Sequence, residues 1–222
     1  MHVSVFFLAV LSSDIVMEME NVKVKSCVDS CLEYANYFDV ALLLYELYSN
    51  TYVVTNIKKK TWFAFKNHLW SETEIGPYTE LSTHVLDIFK ERFKEMKKKK
   101  QHKKDMVLNC EKIIQMLGDP IQKENICREC LYIFYDNTFL IKLDSNPQFL
   151  PFRNGILNIS SNEFRRGLRT DYMSIYINDD YAPAESVTAK KKQDKLIRDF
   201  LDFRQKLMRK RLNDLDPVYF TV

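Results

Sequence analysis

Glycine is scarce in this 222-residue chain, at four, and proline stands at six. That scarcity argues against long disordered or low-complexity segments, and it leaves little room for a glycine-rich loop whose backbone amides cradle a triphosphate. No Gly-x-x-x-x-Gly-Lys-Ser/Thr, Gly-x-Ser-x-Gly or His-Glu-x-x-His occurs. The four histidines, His2, His68, His84 and His102, are scattered, and no catalytic constellation rises above background. Asp179-Asp180 has the chemistry of a metal site, but a carboxylate pair in a linker is ordinarily just solvated. A membrane-spanning run of apolar residues is missing too. "MHVSVFFLAVL" at the N-terminus is too short to span and lacks the basic leader of a signal peptide. A buried strand, a docking helix or an atypical gene start is the favoured reading there.

Hydrophobic residues make up 46% and aromatics 13%, enough for a sizeable core. The formal charge is only +3 but is unevenly spread. Seven lysines fall in the eleven residues Lys94 to Lys104, and Lys190 to Arg211 holds ten basic against three acidic residues. Such clusters suit a polyanion, nucleic acid above all, although lysine runs also simply solvate helix ends. Five cysteines, an odd number, fit reduced thiols inside a cell and argue against secretion. Cys127-Arg-Glu-Cys130 has half a zinc site's spacing, yet a tetrahedral site would need Cys110 or His102. Cys127 and Cys130 lie in a helical pattern, where packed thiols are the favoured reading over metal or nucleophile.

The chain reads as α+β, mainly helical, with two small antiparallel units: a meander near 51–72 and a hairpin near 152–177. "FDVALLLYELYSN" is a helix capped by Asp39, with Val40, Leu43, Leu44 and Leu47 as its stripe. The meander holds Tyr52–Thr55, Thr61–Phe65 and Leu69–Trp70. Trp62 and Trp70 offer faces on which bases stack, but so small a unit needs its aromatics for its own core, which is the favoured role. Helices follow over Thr79 to Met96 and Asp105 to Leu117, the second closed by Gly118 as a C′ residue. Asp119-Pro120 starts the next. Gly155–Ile159 and Glu163–Arg165 form strands, with Met173–Ile177 as a last strand and Phe152 and Phe164 as core anchors. A helix over Lys190 to Leu212 carries Leu196, Phe200, Phe203 and Leu207 as its apolar stripe, free to dock a partner chain. The segmentation is 1–38 as an N-terminal segment, 39–180 as the principal domain, and 181–222 as linker and basic helix.

Four pieces stand in a telling order: "LLYELYSNTYVVTNIKKKTWFAFKNHLWSE", the helix after it, "ENICRECLYIFYDNTFLIKLDSNPQFLPFRNGILNI" and "NEFRRGLRTDYMSI". Together, over roughly Asp39 to Asp180, they resemble the region that precedes the helicase core in poxvirus-type DNA primase–helicases of large DNA viruses, relatives of phage and plasmid primases. The resemblance implies a connecting domain that braces a hexameric superfamily-3 helicase ring during DNA replication. Its motif residues would be Trp62, Trp70, Phe152, Asn154, Gly155, Phe164, Asp171 and Tyr172. It stops where that family's helicase begins, as expected of a gene fragment, a split subunit or a degenerate paralogue. ATP and magnesium are therefore expected only for the missing helicase domain, and no cofactor for these residues. The expected partners are DNA, replication proteins or helicase subunits, and further copies of the chain; no membrane is among them. The expected setting is the host cytoplasm or a viral replication site. Candidate phosphate contacts are Lys58, Lys59, Lys60, Lys97, Lys98, Lys99, Lys100, Arg153, Arg165, Arg166 and Arg169. The competing reading is a protein-interaction module without nucleic-acid binding.

Overall fold

The chain alternates between two units: Met1–Ser49 with Ile75–Phe134, and Asn50–Glu74 with Tyr135–Val222. The structure, a computed structural model, describes residues 22–98, 103–183 and 186–214. The apolar N-terminal stretch, His2, His102, Lys99 and Lys100 lie outside the described residues.

The first unit is helical. It contains α1 (22–34), α2 (Tyr37–Tyr48), α3 (Tyr78–Glu80), α4 (Leu86–Lys98), α5 (Lys104–Gly118) and α6 (Pro120–Ile133). The cap of α2 is Asn36, not Asp39: the Asn36 side chain accepts the Asp39 N–H at 2.8 Å, because the helix starts three residues earlier than its apolar stripe suggests. Asp119 caps α6, accepting from the Ile121 and Gln122 amides, with Pro120 at the first helical position. That duty also corrects the reading of Gly118. Gly118 is the last residue of α5 and has no left-handed φ, since Asp119 must follow in an extended conformation to cap α6. Between α3 and α4 the helix widens into a π-helical turn, Leu81–Val85, where Tyr48 Oη and His84 Nδ1 lie 2.7 Å apart. Leu32, Leu44, Phe89, Ile113, Ile126 and Cys130 are among the fully buried residues of this unit.

The second unit holds both sheets. β1 (Tyr52–Asn56), β2 (Thr61–Lys66) and β3 (Leu69–Thr73) form an antiparallel meander. Asn67 and His68 both have φ above zero, at 50° and 63°, the two-residue connection whose twist matches paired strands. Val53, Phe63 and Trp70 form one face, covered by Phe139 of the short helix α7 (Phe139–Lys142) and by Leu143. β4 (Phe149–Phe152), β5 (Gly155–Asn158) and β6 (Glu163–Arg165) form the second antiparallel sheet. β4 is one strand more than the sequence pattern marks, and it contains Pro151. The proline is tolerated in β4, an edge strand of the sheet.

Met173–Ile177 is not a strand. Its amides go elsewhere: Ser174 and Ile175 donate to the Asp144 carboxylate, leaving an isolated bridge between Phe152 and Ile177. Phe164 is not a core anchor either; it is 37% exposed and stacks on Tyr181 with ring centroids 4.8 Å apart.

The final helix, α8 (Val187–Asp214), is spent on its own unit. Leu196, Ile197, Phe200 and Leu201 pack with Leu150, Phe152, Leu157 and Ile177. Phe203 points away, 54% exposed, and the buried stripe continues through Arg204 instead. Arg204, 5% exposed, donates to the carbonyls of Asn146, Pro147 and Phe149, which lack strand partners as the chain turns into β4. Two of the helix's basic residues, Arg204 and Arg211, are thus internal fasteners rather than a free basic face.

Candidate nucleic-acid interface

Successive turns of a meander lie at opposite ends of its sheet. In the first sheet Lys58, Lys59 and Lys60 therefore occupy one end and Asn67-His68 the other. The Asn67-His68 end meets the second sheet. His68 Nε2 lies 3.2 Å from the Phe152 carbonyl, the Trp70 amide donates to Met173 O at 2.7 Å, and Trp70 Nε1 donates to Arg169 O at 2.8 Å. Gly167 abuts the same turn so closely that a Cβ there would sit 2.6 Å from the His68 carbonyl oxygen.

Where the two turns converge, a cleft of about 850 Å³ opens. One wall is Lys66 to Ser71. The other is built from Arg153 and Asn154 of the β4–β5 turn, Arg166 just past β6, and Ser174 and Tyr176. Lys66, Arg153 and Arg166 supply three fixed positive charges, and no aspartate or glutamate lines the cleft. A concave surface with one sign of charge focuses its field and concentrates anions. Arg153 is partly engaged, donating to the Asn178 carbonyl at 3.2 Å and lying 3.9 Å from Asp180. Lys66 and Arg166 are exposed.

Of the sequence candidates, the structure thus brings Arg153 and Arg166 together. Arg165 is occupied elsewhere: its two terminal nitrogens donate to the two oxygens of buried Asp171, each at 2.8 Å, and this pairing raises its pKa. Asp171 also accepts the Leu168 amide at 2.7 Å, so the pair shapes the loop that presents Arg166. Arg169 is exposed, and its carbonyl, not its charge, is what Trp70 holds. Lys97 and Lys98 end α4 in the helical unit, with Lys97 Nζ 4.3 Å over the Phe93 ring.

The motif residues serve architecture. Trp62, Trp70 and Phe152 are buried. Asn154 clasps the backbone of Tyr181 through both its amide atoms. A Cβ on Gly155 would lie 2.7 Å from both the Arg165 carbonyl oxygen and the Phe164 ring. Tyr172, at φ 52°, accepts the Asp144 amide at 2.6 Å.

Sequence reasoning missed Lys66, His68 and Tyr176. The Asn67-His68 step between two strand-like runs is the signal that marks the turn, but only the tertiary pairing shows what it faces. The cysteines are shaped by burial. It pushes the Cys110 and Cys127 thiols up to about 11 and those of Cys31 and Cys130 further in the same direction, the opposite of what a nucleophile needs. Among the described residues no group of three His, Cys, Asp or Glu side chains is placed to hold a metal, and no helix is long and apolar enough to cross a membrane.

Comparison with known proteins places these elements. The chain is 29% identical over 175 residues to "Putative helicase L207/L206" of Acanthamoeba polyphaga mimivirus, an alignment covering 74% of this chain. It is 23% identical over 172 residues, 63% of this chain, to "Putative helicase 121R" of Invertebrate iridescent virus 3. The match spans only 18% of the length of each of these relatives. Residues 41–205, from α2 into α8 and including both sheets, match the family described as D5 N terminal like. The primase–helicase resemblance carried by the ordered motifs therefore holds, and the chain belongs to the D5 N terminal like family.

Proposed function

We propose that the chain is a non-catalytic module of a viral DNA-replication primase–helicase, acting inside the infected cell. It braces the assembly of a helicase ring and grips the DNA backbone. One observation carries the DNA half of this reading: a cleft with Lys66, Arg153 and Arg166 on its walls and no carboxylate among its lining residues. The two relatives named as helicases support the replication setting. Phosphate contacts of this kind position a strand and carry little sequence information. Binding is therefore largely sequence-independent and steeply salt-dependent, because each neutralised phosphate releases counterions.

Fluorescence anisotropy with labelled oligonucleotides of mixed sequence tests this. Affinity should fall linearly on a log–log plot against salt. Lys66→Glu with Arg166→Glu should flatten that slope by roughly one unit for each phosphate left unneutralised. Absence of binding at low salt would remove the DNA half. Light scattering on the purified chain tests the ring half, which predicts a salt-resistant oligomer. A protein-interaction module without DNA binding gains little from α8, where Leu196 and Phe200 of the stripe are covered by their own unit and Phe203 stands exposed.

A further inference from the structure

Resting on the DNA reading above, we infer that the cleft takes single-stranded DNA in preference to duplex, with Tyr176 as the platform for one base and Lys66 and Arg166 as its flanking phosphate contacts. Tyr176 lines the cleft and is 44% exposed. The tryptophans, better stacking faces in principle, are committed to the core. Trp70 is packed against Phe139 and Phe65 at centroid separations of 4.9 and 5.3 Å, and Trp62 is buried.

The orientation of Tyr176 follows from its neighbours. Along this segment the residues alternate sides: Ser174 and Tyr176 line the cleft, whereas Ile175 and Ile177 do not. Ile175 and Ile177 both pack into the apolar layer beneath α8, so Tyr176 is turned to the opposite side. The segment is also fixed at both ends. The Ser174 and Ile175 amides bond to Asp144, and the Ile177 amide donates to Pro151 O at 2.8 Å. A ring on so firmly held a backbone loses little freedom when a base stacks on it, which is the arrangement sequence-tolerant single-strand binders use beside a basic groove.

Duplex DNA is a convex rod with its base faces stacked inside. Its phosphates reach the exposed Lys66 and Arg166, but no base face reaches Tyr176. The cations thus act on both forms, and the tyrosine only on the single strand.

Anisotropy with fluorescein-labelled dT20 and a 20-bp duplex at matched salt, using the full chain, separates these roles. Expected is a preference for dT20. Tyr176→Ala should lower dT20 affinity about tenfold while leaving duplex affinity unchanged, within the range for loss of one stacked base. Tyr176→Phe and Tyr176→Trp should retain it, and Arg166→Glu should weaken both forms. Circular dichroism and melting of each variant exclude misfolding as the cause. Equal affinity for the two DNAs, or an unchanged dT20 affinity in Tyr176→Ala while Arg166→Glu weakens binding, overturns this inference and leaves the wider DNA reading standing. No binding of either DNA at low salt overturns both.

Discussion

Arg211 Nη1 lies 2.6 Å from Asp144 Oδ2, and Asp144 is completely buried. One residue belongs to the last helix and the other to the turn after α7, where it holds a left-handed φ of 60°. Asp144 also accepts the Ser174 amide and hydroxyl, at 2.7 and 2.5 Å, so one carboxylate ties α8 to the segment carrying Tyr176. Asp144→Ala strands the Arg211 charge and several donors. It should destabilise the fold by about 3–5 kcal/mol in urea unfolding. Arg211→Ala should be milder, about 1.5–3 kcal/mol, because the remaining donors still serve the carboxylate. A double-mutant cycle should return a coupling well above the scatter seen for distant pairs.

Arg165 and Asp171 form the second such pair, and here charge and geometry can be separated. Arg165→Lys keeps the charge but loses the two-pronged hydrogen bond, and should lower stability by roughly 1–3 kcal/mol. If Arg165 is an architectural residue, DNA affinity measured well below the melting transition stays unchanged. A fall in affinity with unchanged stability would place it among the DNA contacts.

Three glycines give opposite expectations for one substitution. Gly155→Ala and Gly167→Ala push a methyl into backbone carbonyls 2.7 and 2.6 Å away, and each should destabilise by about 1–3 kcal/mol or more. A methyl on Gly118 would meet nothing within 4 Å, and the residue sits in a helix. Gly118→Ala should therefore be neutral or stabilising by up to about 1 kcal/mol. Thermal melts of the three variants check the ranking.

Thiol burial makes stability fall with alkaline pH. Cys110 and Cys127 have folded-state pKa values of about 11, against an unfolded thiol near 8.5. Between those values the folded chain holds more protons than the unfolded one, so stability declines as pH rises through that window and is fully present below it. Urea unfolding at pH 8 and pH 10 should show the decline, and Cys110→Ala should reduce its slope. In the native state at pH 8, alkylation of these thiols should be slow.

Much of the helical framework is legible in the sequence because local chemistry decides it: Asp119-Pro120 caps α6 as its spacing implies, and the lysine-rich turn after β1 separates strands that the β-branched and aromatic runs mark. The misreadings occur where tertiary partners override local pattern. Met173–Ile177 has strand composition, but its amides are claimed by Asp144, some thirty residues earlier. The stripe of α8 reads as Phe203 by periodicity, whereas the free carbonyls of the Asn146–Phe149 turn draw Arg204 inward. The cleft itself is illegible from one dimension, since Lys66, Arg153 and Arg166 converge only when two turns from different sheets meet.

The weaving of the chain sets an order of events on the ribosome. Val53, Phe63 and Trp70 emerge long before Phe139 and Leu143, the residues that cover them. Until those arrive, the nascent meander presents an unsheltered aromatic face while the intervening helices are still being made. Chains that stall before Phe139 should accordingly be sticky and depend on holdase chaperones, whereas those released after Leu143 have the means to close that face unaided.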